Sequence, residues 1–281
     1  MSLPKGRGKM AQANNPAHKD RGVYSEIILK IFKSHYKPGI KSFLFSRDEI
    51  RDICARLNFM TPKNFGDVLY SFRYRKSLPY EIIATAPKGY EWIIAGAGNA
   101  IYKFELSKIN RIVPRENLIE IKIPDATPSL IEKYALTDEQ ALLAKIRYNK
   151  IIDLFLQISS YSLQNHLRTK IKSMGQVEID EVYVGVNKFG AQFIVPVQAK
   201  GGNDKHGIVQ TMQDIACCQE KFPDLICRPV SVQFISKDKI AIFELRVEEN
   251  ELKVVEEKHY RLVKYDEISK SDLKFYANNQ A

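Results

Sequence analysis

Val177–Gly202 reads VEIDEVYVGVNKFGAQFIVPVQAKGG. It holds two β-strand patterns joined by a short turn, with an acidic cluster (Glu178, Asp180, Glu181) on the first strand and Gln198 and Lys200 at the end of the second. Side chains alternate faces along a strand, so Glu178 and Asp180 share one face, and so do Gln198 and Lys200. If the two faces coincide, a carboxylate, an amide oxygen and an ammonium meet at one spot. Such a set can hold a divalent cation beside a phosphate. Asp180 is flanked by Ile179 and Val182, and Lys200 follows Ile194, Val195, Val197 and Ala199. Charges so close to apolar strand residues are costly unless a partner or a metal meets them. The plain alternatives are a structural ion pair between Asp180 and Lys200, and a Gln198 that hydrogen-bonds on a solvated face. Glu181 points away from Asp180 and reads as a surface or inter-domain residue.

Toward the C-terminus, His206–Phe222 has helical spacing, with Ile208, Val209, Met212, Ile215 and Ala216 inside. Cys227–Phe234 alternates as a strand. Ile240–Val247 and Leu252–Val263 form an antiparallel pair, and the tail from Asp266 is polar. Toward the N-terminus, Ser162–Lys172 reads as a helical piece carrying Gln164, Asn165, His166 and Arg168. Before it, a helix starts at Thr137, with Gln140 as capping-box partner, and runs through Leu142, Leu143, Ile146, Ile151 and Leu154 toward Ile158. The Pro- and Arg-bearing stretch Ser107–Asp125 reads as a linker.

The domain organisation expected is a basic arm over 1–21, a DNA-binding domain over 22–106, a linker over 107–128, a catalytic domain over 129–265 and a polar tail over 266–281. In the N-terminal domain, Val23–His35 is a helix. Phe43–Phe45 is extended, and Ser46 with Glu49 opens a second helix that buries Ile50, Ile53, Cys54 and Leu57. A third helix is expected from Thr61–Pro62, with Pro at its first position and Phe65, Val68, Leu69 and Phe72 inside. Tyr80–Ala84, Tyr90–Ile94 and Ala100–Leu106 read as strands. The triplet at Gly96 leads no helix, so it reads as a hairpin turn rather than a phosphate loop. Three short helices followed by a hairpin resemble a winged helix. The resemblance implies DNA contacts from Lys63, Asn64, Tyr70, Arg73 and Arg75; the plain alternative is a solvated face.

The chain has 281 residues, 44% hydrophobic and 27% charged, which suits a protein with a sizeable core. No apolar run approaches a membrane span, and the start lacks a secretory h-region. Four cysteines without CxxC spacing fit a reduced, cytoplasmic protein, and five scattered histidines make a zinc site improbable. A net charge of +10 favours a polyanionic partner such as nucleic acid.

Read together, the order helix, EID strand, QAK strand, helix, strand is similar to the PD-(D/E)XK nuclease superfamily over about Leu136–Phe234. The runs QNHLRTKIKSMGQVEIDEVYVG (from Gln164) and PVQAKGGNDKHG (from Pro196) resemble type II restriction endonucleases. The implied fold class is mixed α/β (α+β): a nuclease core with a mixed sheet flanked by helices, plus the smaller N-terminal winged-helix-like domain. The resemblance implies that Asp180 and Gln198 bind Mg²⁺ (Mn²⁺ substituting) and that Lys200 orients or deprotonates the attacking water. Gln198 stands where the family has Asp or Glu, a QxK variant found among Mrr-related enzymes. Glu178, or Glu132 or Glu139 from the preceding helical region, would then complete the ligand set. The expected activity is hydrolysis of double-stranded DNA to 5′-phosphates by a homodimer, with no membrane association. The alternatives are a modification-dependent Mrr-like endonuclease and a non-catalytic winged-helix regulator.

Overall fold

A computed structural model describes residues 22–278 except 61, 63, 110–111, 135–138, 202–205 and 250, and except the side chains of residues 74 and 75. Helix α1 spans Val23–His35 and buries Ile27, Ile28, Ile31 and Phe32, as the spacing predicts. Strand β1 (Ser42–Ser46) leads into α2 (Asp48–Arg56). Glu49 Oε1 accepts the Ser46 N–H at 2.8 Å, which supplies the Glu half of the expected capping box. Helix α3 (Phe65–Tyr70) continues into a π-helical turn, Ser71–Arg75. It does not start at Pro62. Its cap is Asn64, whose Oδ1 accepts the Gly66 N–H at 3.0 Å, an N-cap bond that a proline start cannot supply.

Tyr80–Ala84 is not a strand. Tyr80–Ile83 forms the short helix α4, entered from Pro79, whose fixed φ suits a helix start. Strands β2 (Tyr90–Gly96) and β3 (Ile101–Lys108) form the hairpin, and β1 pairs with the outer side of β3, giving the order β1-β3-β2. Phe32 lies edge-on to Trp92 and Phe104, both at 5.2 Å between centroids, at the centre of this unit.

The stretch read as a linker contains strand β4 (Glu120–Pro124), which pairs in parallel with a strand near the C-terminus. Helix α5 covers Ser129–Tyr134. The single helix expected toward Ile158 is two, α6 (Glu139–Tyr148) and α7 (Ile151–Leu156), divided at Lys150, which has φ +52°. Thr137, its expected cap, lies outside the described residues. Ser162–Lys172 is not helical: it lies mostly within the 13-residue strand β5 (Ser159–Ile171). Then follow β6 (Gly175–Val186), β7 (Gln192–Lys200), α8 (Ile208–Lys221), β8 (Ile226–Cys227), β9 (Val230–Phe234), β10 (Lys239–Glu248) and β11 (Glu251–Val263). The polar tail carries helix α9 (Lys270–Asn278), which clasps β4 through Lys122 Nζ to Asp272 at 3.1 Å and Lys122 N–H to the Tyr276 hydroxyl at 3.0 Å.

Among the described residues these strands form an eight-stranded mixed sheet. Its order is β4-β11-β10-β9-β7-β6-β5, with β8 beside β7. β5, β6 and β7 run as an antiparallel meander, and α8 carries the chain over to β9, parallel to β7. Both faces are covered. Phe193, Val195, Val197 and Ala199 of β7 pack with α6 and α7, while Ile194 packs with Cys217 and Cys218 of α8. That explains the near-continuous apolar run of β7, since a strand buried on both faces loses its alternation.

The N-terminal unit docks on the α8 side. Ile93 of β2 joins a cluster with Ile208, Val209 and Met212 of α8 and with Ala241 and Phe243 of β10. At the edge of this contact a Cβ on Gly96 would lie 2.4 Å from the Met174 carbonyl oxygen, so only glycine fits. Among the described residues no helix is long and apolar enough to cross a membrane.

Candidate active site

The register of β6 and β7 runs from Val186–Gln192 to Glu181–Val197, and there the paired ladder ends. One step further the same register sets Asp180 opposite Gln198. At this step side chains take over from backbone: the Ala199 N–H donates to Asp180 Oδ2 at 2.8 Å, and Gln198 Nε2 donates to the Glu178 carbonyl at 3.2 Å. On its other side β6 stays paired with β5, across a bulge near Ser162–Gln164 and a left-handed His166 (φ +54°). The two strands of the opening motif therefore part where their polar residues begin, which makes room for groups too polar for the sheet core.

Burial pushes the Asp180 carboxyl above its ordinary range. The Lys200 ammonium and the Ala199 N–H oppose that, and the fields of Glu139 and Glu178 reinforce it. Asp180, Lys200, Glu139 and Glu178 thus lie within electrostatic reach of one another. Asp180 and Lys200 close no ion pair, so the structural ion pair weighed above does not form. Of the two helical-region acids, Glu139 is the one felt by Asp180, and it also lies 3.5 Å from where a Cβ on Gly201 would sit, directly after Lys200. Glu132 sits on the exposed α5. The Glu178 carboxylate is held by Arg168 Nη2 at 3.1 Å and His166 Nε2 at 3.2 Å, so this acid is neutralised on the β5 side.

Gln198 is 2% exposed. Both amide hydrogens are used, one on Glu178 O and one on Asp214 Oδ1 at 3.0 Å, which leaves its Oε1 as the acceptor for a ligand. Gln198 therefore does not sit on a solvated face.

Asp214 is the residue that the sequence pattern did not single out. It is buried on α8, and burial holds its carboxyl well above the ordinary range against the opposing Gln198 hydrogen bond. The available signal was spacing: an acid at i+3 from buried Thr211 and at i−3 and i−4 from buried Cys217 and Cys218. His206 is buried. Its Nε2 meets Thr211 Oγ1 at 2.6 Å, and burial, with Lys200 nearby, lowers its pKa to about 3, so the ring is neutral. The segment 202–205, which fits a loop closing over the site and an ordinary turn equally by sequence, lies outside the described residues.

Glu181 is a correction. It is fully buried, with Arg147 Nε at 2.9 Å and Ser162 Oγ at 2.6 Å on its Oε1. It does point away from Asp180, but helices cover the opposite face of this sheet too, so away means inward.

Of the residues expected to contact DNA from the N-terminal unit, Tyr70 is exposed on α3. Asn64 is exposed; its Oδ1 caps α3 and its Nδ2 donates to Asp67 Oδ1 at 2.9 Å. Arg73 is half-buried, with its Nε and Nη2 shielded from solvent. Lys63 and the side chain of Arg75 lie outside the described residues.

The fold and this cluster define a mixed α/β protein whose polar residues gather where the central sheet opens. No family model, curated protein or solved structure matches the chain.

Proposed function

We propose that this chain is a Mg²⁺-dependent, site-specific endonuclease of double-stranded DNA, a restriction-type enzyme of PD-(D/E)XK character. One observation carries the reading: Asp180, Gln198, Lys200 and Glu139 gather where the β6–β7 ladder opens, with Lys200 left without a carboxylate partner among the described residues. The helix α6–α7, the EID strand β6, the QAK strand β7, the crossover helix α8 and the strand β9 follow the order on which the family resemblance rests, with β5 as an added strand before β6.

The donors fit a hard cation. The second Asp180 oxygen, Gln198 Oε1 and Glu139 are all oxygens, and Mg²⁺ takes few protein ligands and keeps several waters. Among the described residues no three His, Cys, Asp or Glu side chains are grouped for a metal, so the amide of Gln198 is needed in the set. Bound there, the ion would neutralise phosphate charge and acidify a water. Lys200 supplies a compact positive charge that orients the attacking water and the scissile phosphate. Asp214 fixes the amide of Gln198, and Ala199 fixes Asp180.

DNA would lie along the exposed basic groups of β5 and its end, His166, Arg168, Lys170 and Lys172, beside the site. The N-terminal unit, in which β1-β3-β2 follows and interleaves with the helices as in a winged helix, would add Tyr70 and its hairpin. A homodimer would bring two sites to the two strands. The test is digestion of a sequenced plasmid with and without Mg²⁺, beside Lys200→Ala. Discrete fragments from the wild type alone are expected; no Mg²⁺-dependent cut on any methylated or unmethylated plasmid overturns the proposal.

A second reading, a DNA-binding regulator on a degenerate nuclease fold, draws on one fact. One oxygen of Asp180 is already bound to Ala199, and an amide stands where a second strand acid would. Sequence-specific binding without any nicking would favour it.

A further inference from the structure

Cys217, Cys218 and Cys227 gather at one end of α8 in a single apolar cluster with Ile194 of β7. Cys217 and Cys218 are buried on the helix, and Cys227, half-buried, ends the short strand β8. The chain passes from α8 to β8 through a tight turn. The Phe222 N–H donates to the Cys218 carbonyl at 2.8 Å, and the Leu225 N–H to the Phe222 carbonyl at 3.1 Å. β8 is in turn fixed to the sheet: Cys227 pairs with Ile194, and the Arg228 N–H donates to the Ile194 carbonyl at 3.0 Å. This return sets the Cys218 and Cys227 side chains against each other, close enough for one thiol to hydrogen-bond the other. Successive side chains on a helix point about 100° apart, so Cys217 cannot share that position.

The two thiols differ in access. Cys218 is 1% exposed, whereas Cys227 is open to small molecules from the side of the exposed Ile226. A reachable thiol in contact with a hidden one is the arrangement in which the first is attacked and the second resolves. The Cys227 hydrogen bond and burial push the Cys218 thiol well up, so exchange runs toward the slow end of the seconds-to-hours range.

We propose that Cys218 and Cys227 are a modification site, a reversible thiol–disulfide pair oxidised by a low-molecular-weight disulfide of the glutathione type. The Cys227 thiolate attacks one sulfur of that disulfide and expels the other as a thiolate. Cys218 then loses its proton, attacks the Cys227 sulfur and expels the second small thiolate. The chain gives up two electrons and two protons, and the small disulfide becomes two thiols. The new bond fastens α8 to the sheet one helical turn from Asp214, which holds the Gln198 amide at 3.0 Å. The site stands independently of the endonuclease reading.

The test keeps the folded full chain with oxidised glutathione overnight, blocks remaining thiols with N-ethylmaleimide in denaturant and maps tryptic peptides by mass. Two of the four thiols should disappear, with the peptide of Cys217 and Cys218 joined to that of Cys227, and dithiothreitol should restore all four. The oxidised chain should melt several degrees higher, because the 218–227 ring is closed in the unfolded state too. Cys217→Ala should form the bridge as the wild type does. Cys218→Ala should stop at a glutathione adduct on Cys227, with no thiol left to resolve it. Circular dichroism checks that both variants fold. Four free thiols in the treated wild type, a bridge that forms only in denaturant, or loss of the bridge in Cys217→Ala with its retention in Cys218→Ala overturns the inference.

Discussion

The Ala199 amide nitrogen stands 2.8 Å from Oδ2 of Asp180, just past the last β6–β7 backbone pair, Glu181–Val197. A side chain has replaced a rung of the ladder. The carboxylate is thereby fixed in place, at the point where burial and two neighbouring acids work against its charge.

Removing that group tests the site directly. Asp180→Ala and Lys200→Ala are each expected to lower Mg²⁺-dependent DNA cleavage by at least about 10²- to 10³-fold, the scale of losing one preorganised electrostatic group. Filter binding of the same DNA should change less than about threefold. A variant of both positions that still cuts at the wild-type rate would refute the assignment.

Gly96→Ala reports on the contact between the two units. The new Cβ would meet the Met174 carbonyl at 2.4 Å, a backbone atom that cannot swing aside. The expected cost is about 1–3 kcal/mol, a fall in melting temperature of several degrees. An unchanged melting curve would show that the contact relaxes freely.

The Arg147–Glu181 pair should respond asymmetrically. Glu181 is fully buried, while the Arg147 side chain is 38% exposed. Arg147→Ala strands a charge in the core and should cost about 3–5 kcal/mol. Glu181→Leu leaves an arginine that can turn to water and should cost clearly less. Chemical denaturation of both variants measures the difference, and equal losses would contradict the burial argument.

His206 predicts part of the acid response. Its pKa falls from 6.5 unfolded to about 3 folded, because burial and Lys200 disfavour the charged ring. Between those values the unfolded chain binds a proton that the folded chain refuses. The contribution of His206 is therefore full above about pH 6.5 and lost as pH falls, by up to about 1.4 kcal/mol per unit. The raised carboxyls of Asp180 and Asp214 act in the opposite sense. His206→Gln should therefore flatten the fall in stability between about pH 6.5 and 4. A slope unchanged from wild type would place the titration elsewhere.

The two strands that carry Asp180, Gln198 and Lys200 were readable from alternation and from an apolar run interrupted by charge. Strand β5 was not. Its residues are solvated on both faces over most of its length, so no period of two is imprinted, and Leu163 with Leu167 imitates a helical stripe. Tyr80–Ile83 has strand-like residues, but a single buried contact at Ile82 and the Pro79 entry decide for a helix. Asp214 was hidden because its partner, Gln198, is brought to it only by the crossover of α8. Glu181 misled because alternation tells which face a residue takes but not what covers that face.

The clasp of α9 on β4 limits how copies of this protein can associate. The Tyr276 hydroxyl takes up the outward N–H of Lys122, so the β4 margin offers a new strand little to bind. At the opposite margin the bulge near Ser162 and the left-handed His166 break the straight run that a docking strand needs. The sheet is closed to growth at both ends. On the endonuclease proposal, two copies acting on one duplex would then meet through helices, loops or the N-terminal unit, and the margin of the 13-residue strand β5 would be left to nucleic acid.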